Sequence, residues 1–218
     1  METLKMMPAR VRIASILKKA IYAGEYRSGE ELSLTGVADQ LGISRTPVRE
    51  AFQTLEAEGL ITLRMNKGAI VNPIDRKFVR DRFEMRILLE SEAAARAAER
   101  GMETGNLLER LARMQADGME TVDVAEYMEL NQDIHMSLWQ AAANEKLEQY
   151  LLELWNGPST GHSRPEQLDH YRKSTQEHIV ILEAVRDGNI RAAREAMAGH
   201  IRRSMDNILR YYPEEQEG

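Results

Sequence analysis

Gly42-Ile43-Ser44-Arg45-Thr46-Pro47-Val48-Arg49-Glu50-Ala51-Phe52 decides the fold of the first third of this chain. Gly42 suits the positive φ of a tight turn between helices. Ser44 is a preferred N-cap. Pro47 falls in the first turn of the helix that follows, where its missing N–H costs no intrahelical bond. Val48, Phe52 and Leu55, with Leu60 beyond, point to a core, while Arg45 and Arg49, four apart, share another face. Upstream, a first helix is predicted over about 8–22, its stripe made by Ile13, Ile16, Leu17, Ala20 and Ile21. A short strand at 31–33 and a second helix over 35–41 follow, the latter with Val37 and Leu41 inward. Downstream, Gly59 ends the long helix, and 61–64 and 69–71 read as strands joined by the polar tip Met65-Asn66-Lys67-Gly68. The whole is a helix-turn-helix with a two-stranded wing.

A helix with basic residues at its start is suited to a DNA major groove. Ser44, Thr46 and the helix N-terminus can hold backbone phosphates. Arg45 and Arg49 can make bidentate contacts to guanine. Lys67 and Gly68, at the wing tip, reach an adjacent phosphate or the minor groove. The overall charge of −6 conceals an uneven split: residues 1–74 carry 10 Lys and Arg against 8 Asp and Glu, and residues 75–218 carry 19 against 27. Binding to phosphate depends on that local balance, +2 against −8.

At 218 residues, 43% hydrophobic and 29% charged, the composition is that of a globular protein of one or two domains. No run of about 18 apolar residues offers a membrane span. The N-terminus lacks the apolar stretch of a secretory signal. The absence of cysteine excludes disulfides and thiolate metal sites and fits a reducing cytoplasm. Beyond residue 74 no strand pattern appears. Six helices are predicted near 75–100 (with room for one break), 104–117, 123–143, 144–156, 165–187 and 189–211. Thr104 and Asp123 are candidate N-caps, and Asp187-Gly188-Asn189 reads as the end of one helix and the start of the next. The expected layout is therefore mainly α. It comprises a winged helix-turn-helix over 1–74, an all-α bundle over 75–212 and a disordered tail over 213–218.

All five histidines lie beyond residue 130: His135, His162, His170, His178 and His200. Asn131 and His135 are one helical turn apart, and His178 and His200 fall on two other helices. Three helices can bring one imidazole each to a common point. With the Asn131 amide oxygen they form an N3O set suited to zinc, nickel or another divalent first-row ion. Buried histidines satisfied by hydrogen bonds explain the same residues equally simply. Trp139, Trp155 and the twelve methionines read as packing. Gly199, inside a helix, reads as a point of close helix approach.

Ser44-Arg45-Thr46-Pro47-Val48-Arg49-Glu50-Ala51 and Leu55-Glu56-Ala57-Glu58-Gly59-Leu60-Ile61 resemble the signature of the GntR family of bacterial transcription regulators. The helical remainder resembles the FadR subfamily with an FCD effector domain, in the shorter six-helix form of the VanR-like group. The resemblance implies DNA contacts by Arg45, Thr46, Arg49 and the Lys67-Gly68 tip. It also implies a metal held by Asn131, His135, His178 and His200, with Asn where Asp is commoner. His162 and His170 fall outside this pattern and read as loop or surface residues. Arg86 lies in a recurrent family stretch. It either clamps an anionic effector or pairs with Glu90. Tyr171 and Ser174, seven and four residues before His178, line the same cavity. One departure touches the DNA side, because Thr35 stands where some members carry a DNA-contacting arginine.

The resulting expectation is a cytoplasmic homodimer that binds a palindromic operator and responds, as a repressor, to a small organic acid in a metal-containing pocket. A metal-dependent enzyme carrying a DNA-binding adaptor is a rival from another class. No H-E-x-x-H spacing supplies it with a general base. A regulator that senses the metal itself is the third reading.

Overall fold

A computed structural model of the chain describes residues 8–65, 68–116, 123–155, 164–210 and 212. It divides into two compact units, residues 1–75 and 76–218. Asn66 and Lys67 at the wing tip, the loop containing His162, and the tail over 213–218 lie outside the described residues.

The first unit holds α1 (Ala9–Tyr22), β1 (Glu31–Leu32), α2 (Leu34–Leu41), α3 (Arg45–Ala57), β2 (Ile61–Arg64) and β3 (Gly68–Val71). Its sheet is antiparallel in the order β1-β3-β2, with Leu63 opposite Ala69 and Leu32 also opposite Ala69. Ser33 is not part of the first strand, because its hydroxyl caps α2 by accepting from the Gly36 N–H at 2.9 Å. Gly42 ends α2 in the left-handed conformation, φ 65°. Ser44 occupies the N-cap position of α3, but its side chain makes no capping hydrogen bond.

Val48, Ala51, Phe52 and Leu55 on α3 meet Ile13, Leu17 and Ile21 on α1, and all are buried. Each large member of this set contributes about 1.5–3 kcal/mol by leaving water. The α1 stripe differs from its prediction. Ile16 is 46% exposed, and Val11, Ala14 and Lys18 are buried instead. Lys18 can be buried because its ammonium meets Glu58, just past the end of α3, at 2.6 Å. Leu41 is only half-buried.

Gly68 has a backbone reason to be glycine. Its φ is +90°, and an added Cβ would sit 2.1 Å from the Leu32 carbonyl oxygen. The wing can therefore fold against β1 only with no side chain at this position.

The second unit holds α4 (Arg76–Glu99), α5 (Gly105–Ala116), α6 (Val124–Ala141), α7 (Glu145–Leu154), α8 (Arg164–Arg186) and α9 (Ile190–Leu209). α4 runs without the break the sequence allowed. Its buried Ala93, Ala94, Ala95, Ala97 and Ala98 give a thin face along which α9 packs closely. Asp123 caps α6 by accepting from Ala125 N–H, and Asn189 caps α9 by accepting from Ala192 N–H. Thr104 does not cap α5, since its hydroxyl is buried without a partner. No helix among the described residues is long and apolar enough to cross a membrane.

Gly199 also departs from its reading. A Cβ built there meets nothing within 4 Å, so it permits no close approach within the chain. Gly199→Ala is expected to stabilise the protein by about 1 kcal/mol, the helix-propensity difference. Gly68→Ala is expected to destabilise it by at least about 1–3 kcal/mol, through strain and the Leu32 clash. Urea denaturation of both variants checks the opposite signs.

Candidate metal centre and DNA-facing helix

On α3, Ser44, Arg45, Thr46 and Arg49 are all exposed, on the side away from Val48 and Phe52. The helix thus offers its basic N-terminal turn to solvent while its apolar stripe holds it to α1. Thr35, at the start of α2, is also exposed and uncharged. Glu56 is drawn into the wing, where its Oε1 accepts from Leu63 N–H at 2.9 Å. Of the two wing-tip residues, Gly68 is fixed by its backbone fit and Lys67 lies outside the described residues.

In the helical unit the structure brings His135 on α6, His178 on α8 and His200 on α9 together. One ring nitrogen from each lies within 4.8 Å of the others, and all three residues are buried. His178 Nε2 is 3.4 Å from His135 Nε2. A tetrahedral ion with nitrogen ligands at 2.0–2.1 Å spaces those ligands roughly 3.4 Å apart, so the cluster fits a first-row divalent ion with little adjustment. Asn131, one turn before His135, is buried beside them, and its Nδ2 has no hydrogen-bond partner. Amide nitrogen and oxygen exchange by rotation about χ2, so this side chain can turn an oxygen toward an ion.

His135 and His200 border a cavity of about 10 Å³, lined also by Arg86, Asn131, Trp155, His170, Ser174 and Ser204. That is room for roughly one water molecule or ion. Ser174 is fully buried there. Tyr171 is buried too, but packs on Tyr127 with ring centroids 4.2 Å apart and does not line the cavity. His170 corrects its prediction as a loop or surface residue. It lies in α8, is buried, and lines both this cavity and an outer one of about 100 Å³. Arg203 Nη1 and Asn207 Nδ2 approach His170 Nδ1 at 3.3 and 3.4 Å. A guanidinium can only donate, so His170 Nδ1 accepts and its proton resides on Nε2.

Several functional residues have no sequence signal of their own. Glu90 is fully buried. Its Oε2 meets His135 Nδ1 at 2.5 Å, and its Oε1 accepts from Arg86 Nη2 at 2.6 Å. Of the two roles open to Arg86, the pairing with Glu90 is the one formed. Its guanidinium still borders the cavity, 5.6 Å from the Trp155 ring. Glu177 Oε2 meets His200 Nδ1 at 2.7 Å and accepts from Arg203 Nη2 at 2.6 Å. Trp155, read as packing, lies against His135 with ring centroids 5.1 Å apart and planes tilted by 58°. The helical spacing of Arg86 and Glu90 was visible in advance, but the cross-helix partners were not.

Burial alone would raise the Glu90 carboxyl, but Arg86 and His135 overcome it and hold it at about 2. Glu177 is likewise held at about 2, its burial outweighed by bonds from His200 and Arg203. Burial, helped by the neighbouring histidines, lowers His178 well below its usual 6.5. Burial also lowers His200, with Glu177 opposing it.

Two family models match the chain. The FCD domain covers residues 81–203, and the model described as bacterial regulatory proteins, gntR family, covers residues 9–71. The chain belongs to the gntR family of bacterial regulators and carries an FCD domain. Among its relatives, the Nta operon transcriptional regulator of Aminobacter aminovorans is 26% identical over 184 residues, spanning 84% of this chain and 87% of its own. The HTH-type transcriptional repressor RspR of Escherichia coli K12 is 28% identical over 207 residues, spanning 92% and 89%. The solved structure of E. coli McbR/YncC covers 95% of this chain and 100% of its own, at TM-score 0.65 and 20% identity, and shares its fold. This gntR-family chain is a DNA-binding transcription regulator, and the enzyme reading is set aside.

The lowered histidines give the metal-free protein a pH signature. Below about 6.5 the unfolded chain takes up protons that buried His178 and His200 refuse, so stability falls as pH drops through that value. The depressed carboxylates act in the same direction, in a lower pH window. Their contribution is complete above about 4.5 and is lost only below it, toward about 2. Thermal melts in chelator should therefore show a decline between pH 7.5 and 5.5 that His178→Gln reduces. A flat wild-type profile contradicts the assignment.

Proposed function

We propose that this regulator binds a palindromic operator as a homodimer, with Arg45 and Arg49 reading the major groove and Ser44, Thr46, Lys67 and Gly68 contacting the backbone. Asn131, His135, His178 and His200 hold a divalent ion, zinc or nickel, in the FCD unit. The ion would supply a fixed positive charge for a small carboxylate, and the Ser174 hydroxyl and Arg86 would complete the effector's surroundings. Tyr171 packs on Tyr127 and has no contact to the effector in this reading. The observation that carries the reading is the convergence of three buried imidazoles at ligand spacing beside an unsatisfied Asn131 amide.

The effector acts by favouring one bundle packing over another, and hence one separation of the two DNA-reading heads. That requires different binding free energies for the two states. Release from DNA on effector binding, that is, repression, is the preferred direction. The relative RspR is named a repressor. The two-fold axis of the dimer would match the operator's symmetry. The cysteine-free chain fits a cytoplasmic setting.

The cavity's size favours a second reading, in which the metal itself is the signal. About 10 Å³ accommodates an ion but not an organic acid unless the helices move apart. DNA affinity titrated against zinc without any organic ligand separates the two. A zinc-dependent change favours the sensor, and a change only on adding an acid to metal-loaded protein favours the effector reading.

Two variants test the assignments. Arg49→Ala should weaken operator binding by at least tenfold in gel shifts at fixed salt, with the circular dichroism spectrum unchanged. Unchanged affinity removes Arg49 from the interface. Elemental analysis of wild-type protein purified without chelator or a metal column should give about one metal per chain, and His178→Ala should lose it. Full retention by that variant shows the ligand set to be wrong.

A further inference from the structure

Two of the three clustered histidines make the same unusual arrangement. His135 Nδ1 meets Glu90 Oε2 at 2.5 Å, and His200 Nδ1 meets Glu177 Oε2 at 2.7 Å. Each carboxylate is held in turn by an arginine: Arg86 on the same helix as Glu90, and Arg203 on the helix facing Glu177. An ionised carboxylate only accepts, so in both contacts the proton sits on Nδ1. In a neutral imidazole the other nitrogen, Nε2, is then bare.

We propose that Glu90 and Glu177 are positioning residues, which fix His135 and His200 as Nδ1–H tautomers so that both turn a bare Nε2 toward the shared centre. The proposal rests on the metal reading above and adds to it the groups that prepare its ligands. Neither carboxylate is itself a ligand. Glu90 gives Oε1 to Arg86 and Oε2 to His135. Glu177 gives Oε1 to Arg203 Nε and Oε2 to both Arg203 Nη2 and His200. The arginines keep both carboxylates anionic at these depths and lock their orientation, so each imidazole is held by two elements rather than one. Among the described residues, no carboxylate meets His178 in this way. Its Nε2 faces the bare Nε2 of His135 at 3.4 Å, and so carries the proton in the metal-free chain. The three rings are therefore not equivalent: two are set in advance and one completes the site.

The chain has only five histidines, which makes the test direct. Long-range ¹H–¹⁵N spectra of ¹⁵N-histidine-labelled, metal-free full-length protein should show His135 and His200 as Nδ1–H and His178 as Nε2–H. Glu177→Ala should move His200 to the Nε2–H form and weaken zinc binding, in competition with a chromophoric chelator, by roughly 10–100-fold. Glu177→Gln retains an oxygen acceptor. It should restore the Nδ1–H tautomer and recover part of the affinity, which a merely structural role would not produce. Glu90→Gln is the matching variant for His135, with folding checked by thermal melting because it leaves Arg86 buried without its anion. Unchanged His200 tautomer and zinc affinity in Glu177→Ala would overturn the proposal, as would Nε2–H signals for His135 and His200 in the wild type. Wild-type protein that shows the expected tautomers but binds no zinc would sink the metal reading and leave the tautomer assignment standing.

Discussion

Glu90 is a carboxylate without water, and the helical unit is organised around keeping it charged. An isolated buried anion costs several kcal/mol, so it survives only with partners that repay the lost hydration. Arg86 supplies the charge from one turn away on α4, and His135 supplies a donor from α6. The pairing forces α4 and α6 into one register, because a slip of either helix by one residue would strand Glu90. The alanine face of α4 then lets α9 come close enough to bring His200 beside His135 and His178. A polar centre that fails unless every member is in place specifies one packing among the many that an apolar bundle would tolerate.

The DNA-facing unit obeys a different constraint, that of shape. Apart from the buried Lys18–Glu58 pair its core is mainly apolar, and α3 can present Arg45 and Arg49 because Val48, Phe52 and Leu55 hold its other side to α1. The wing is pinned at one point, where Gly68 passes the Leu32 carbonyl too closely for any side chain. The charge difference between the units follows the same division. Exposed basic residues suit a phosphate surface, whereas in the bundle the important charges are paired and internal.

Much of this was legible in the sequence because the signals were local. Gly42, Pro47, Gly59, Asp123 and Asn189 act within a few residues of themselves, and helical periodicity located the nine described helices to within a residue or two. The spacing of Asn131 and His135 on one helix could be read directly. What could not be read was tertiary. Lys18 looks like a surface lysine until Glu58 is seen to meet it. His170 looks peripheral until α8 turns it inward against Arg203 and Asn207. Glu90 and Glu177 are ordinary helix glutamates in any window, and their partners lie 45 and 23 residues away in sequence. Gly199 erred in the other direction, since a glycine within a helix suggests a neighbour that the fold of one chain does not provide.

Arg86 links the two halves of the functional reading. It borders the cavity and also neutralises Glu90. An anion that drew the guanidinium toward itself would take charge away from Glu90, and Glu90 is what holds His135. Under the proposed reading, an acid and a metal ion cannot bind independently. The acid either shares Arg86 with Glu90 and stiffens the chain from α4 to α6, or displaces it and loosens His135. Since the cavity at rest has room for about one ion, the acid must also part the helices that Glu90 holds in register. The same contact that specifies the resting packing is therefore the one an effector has to disturb, which places the coupling between ligand and helix packing at a single buried ion pair.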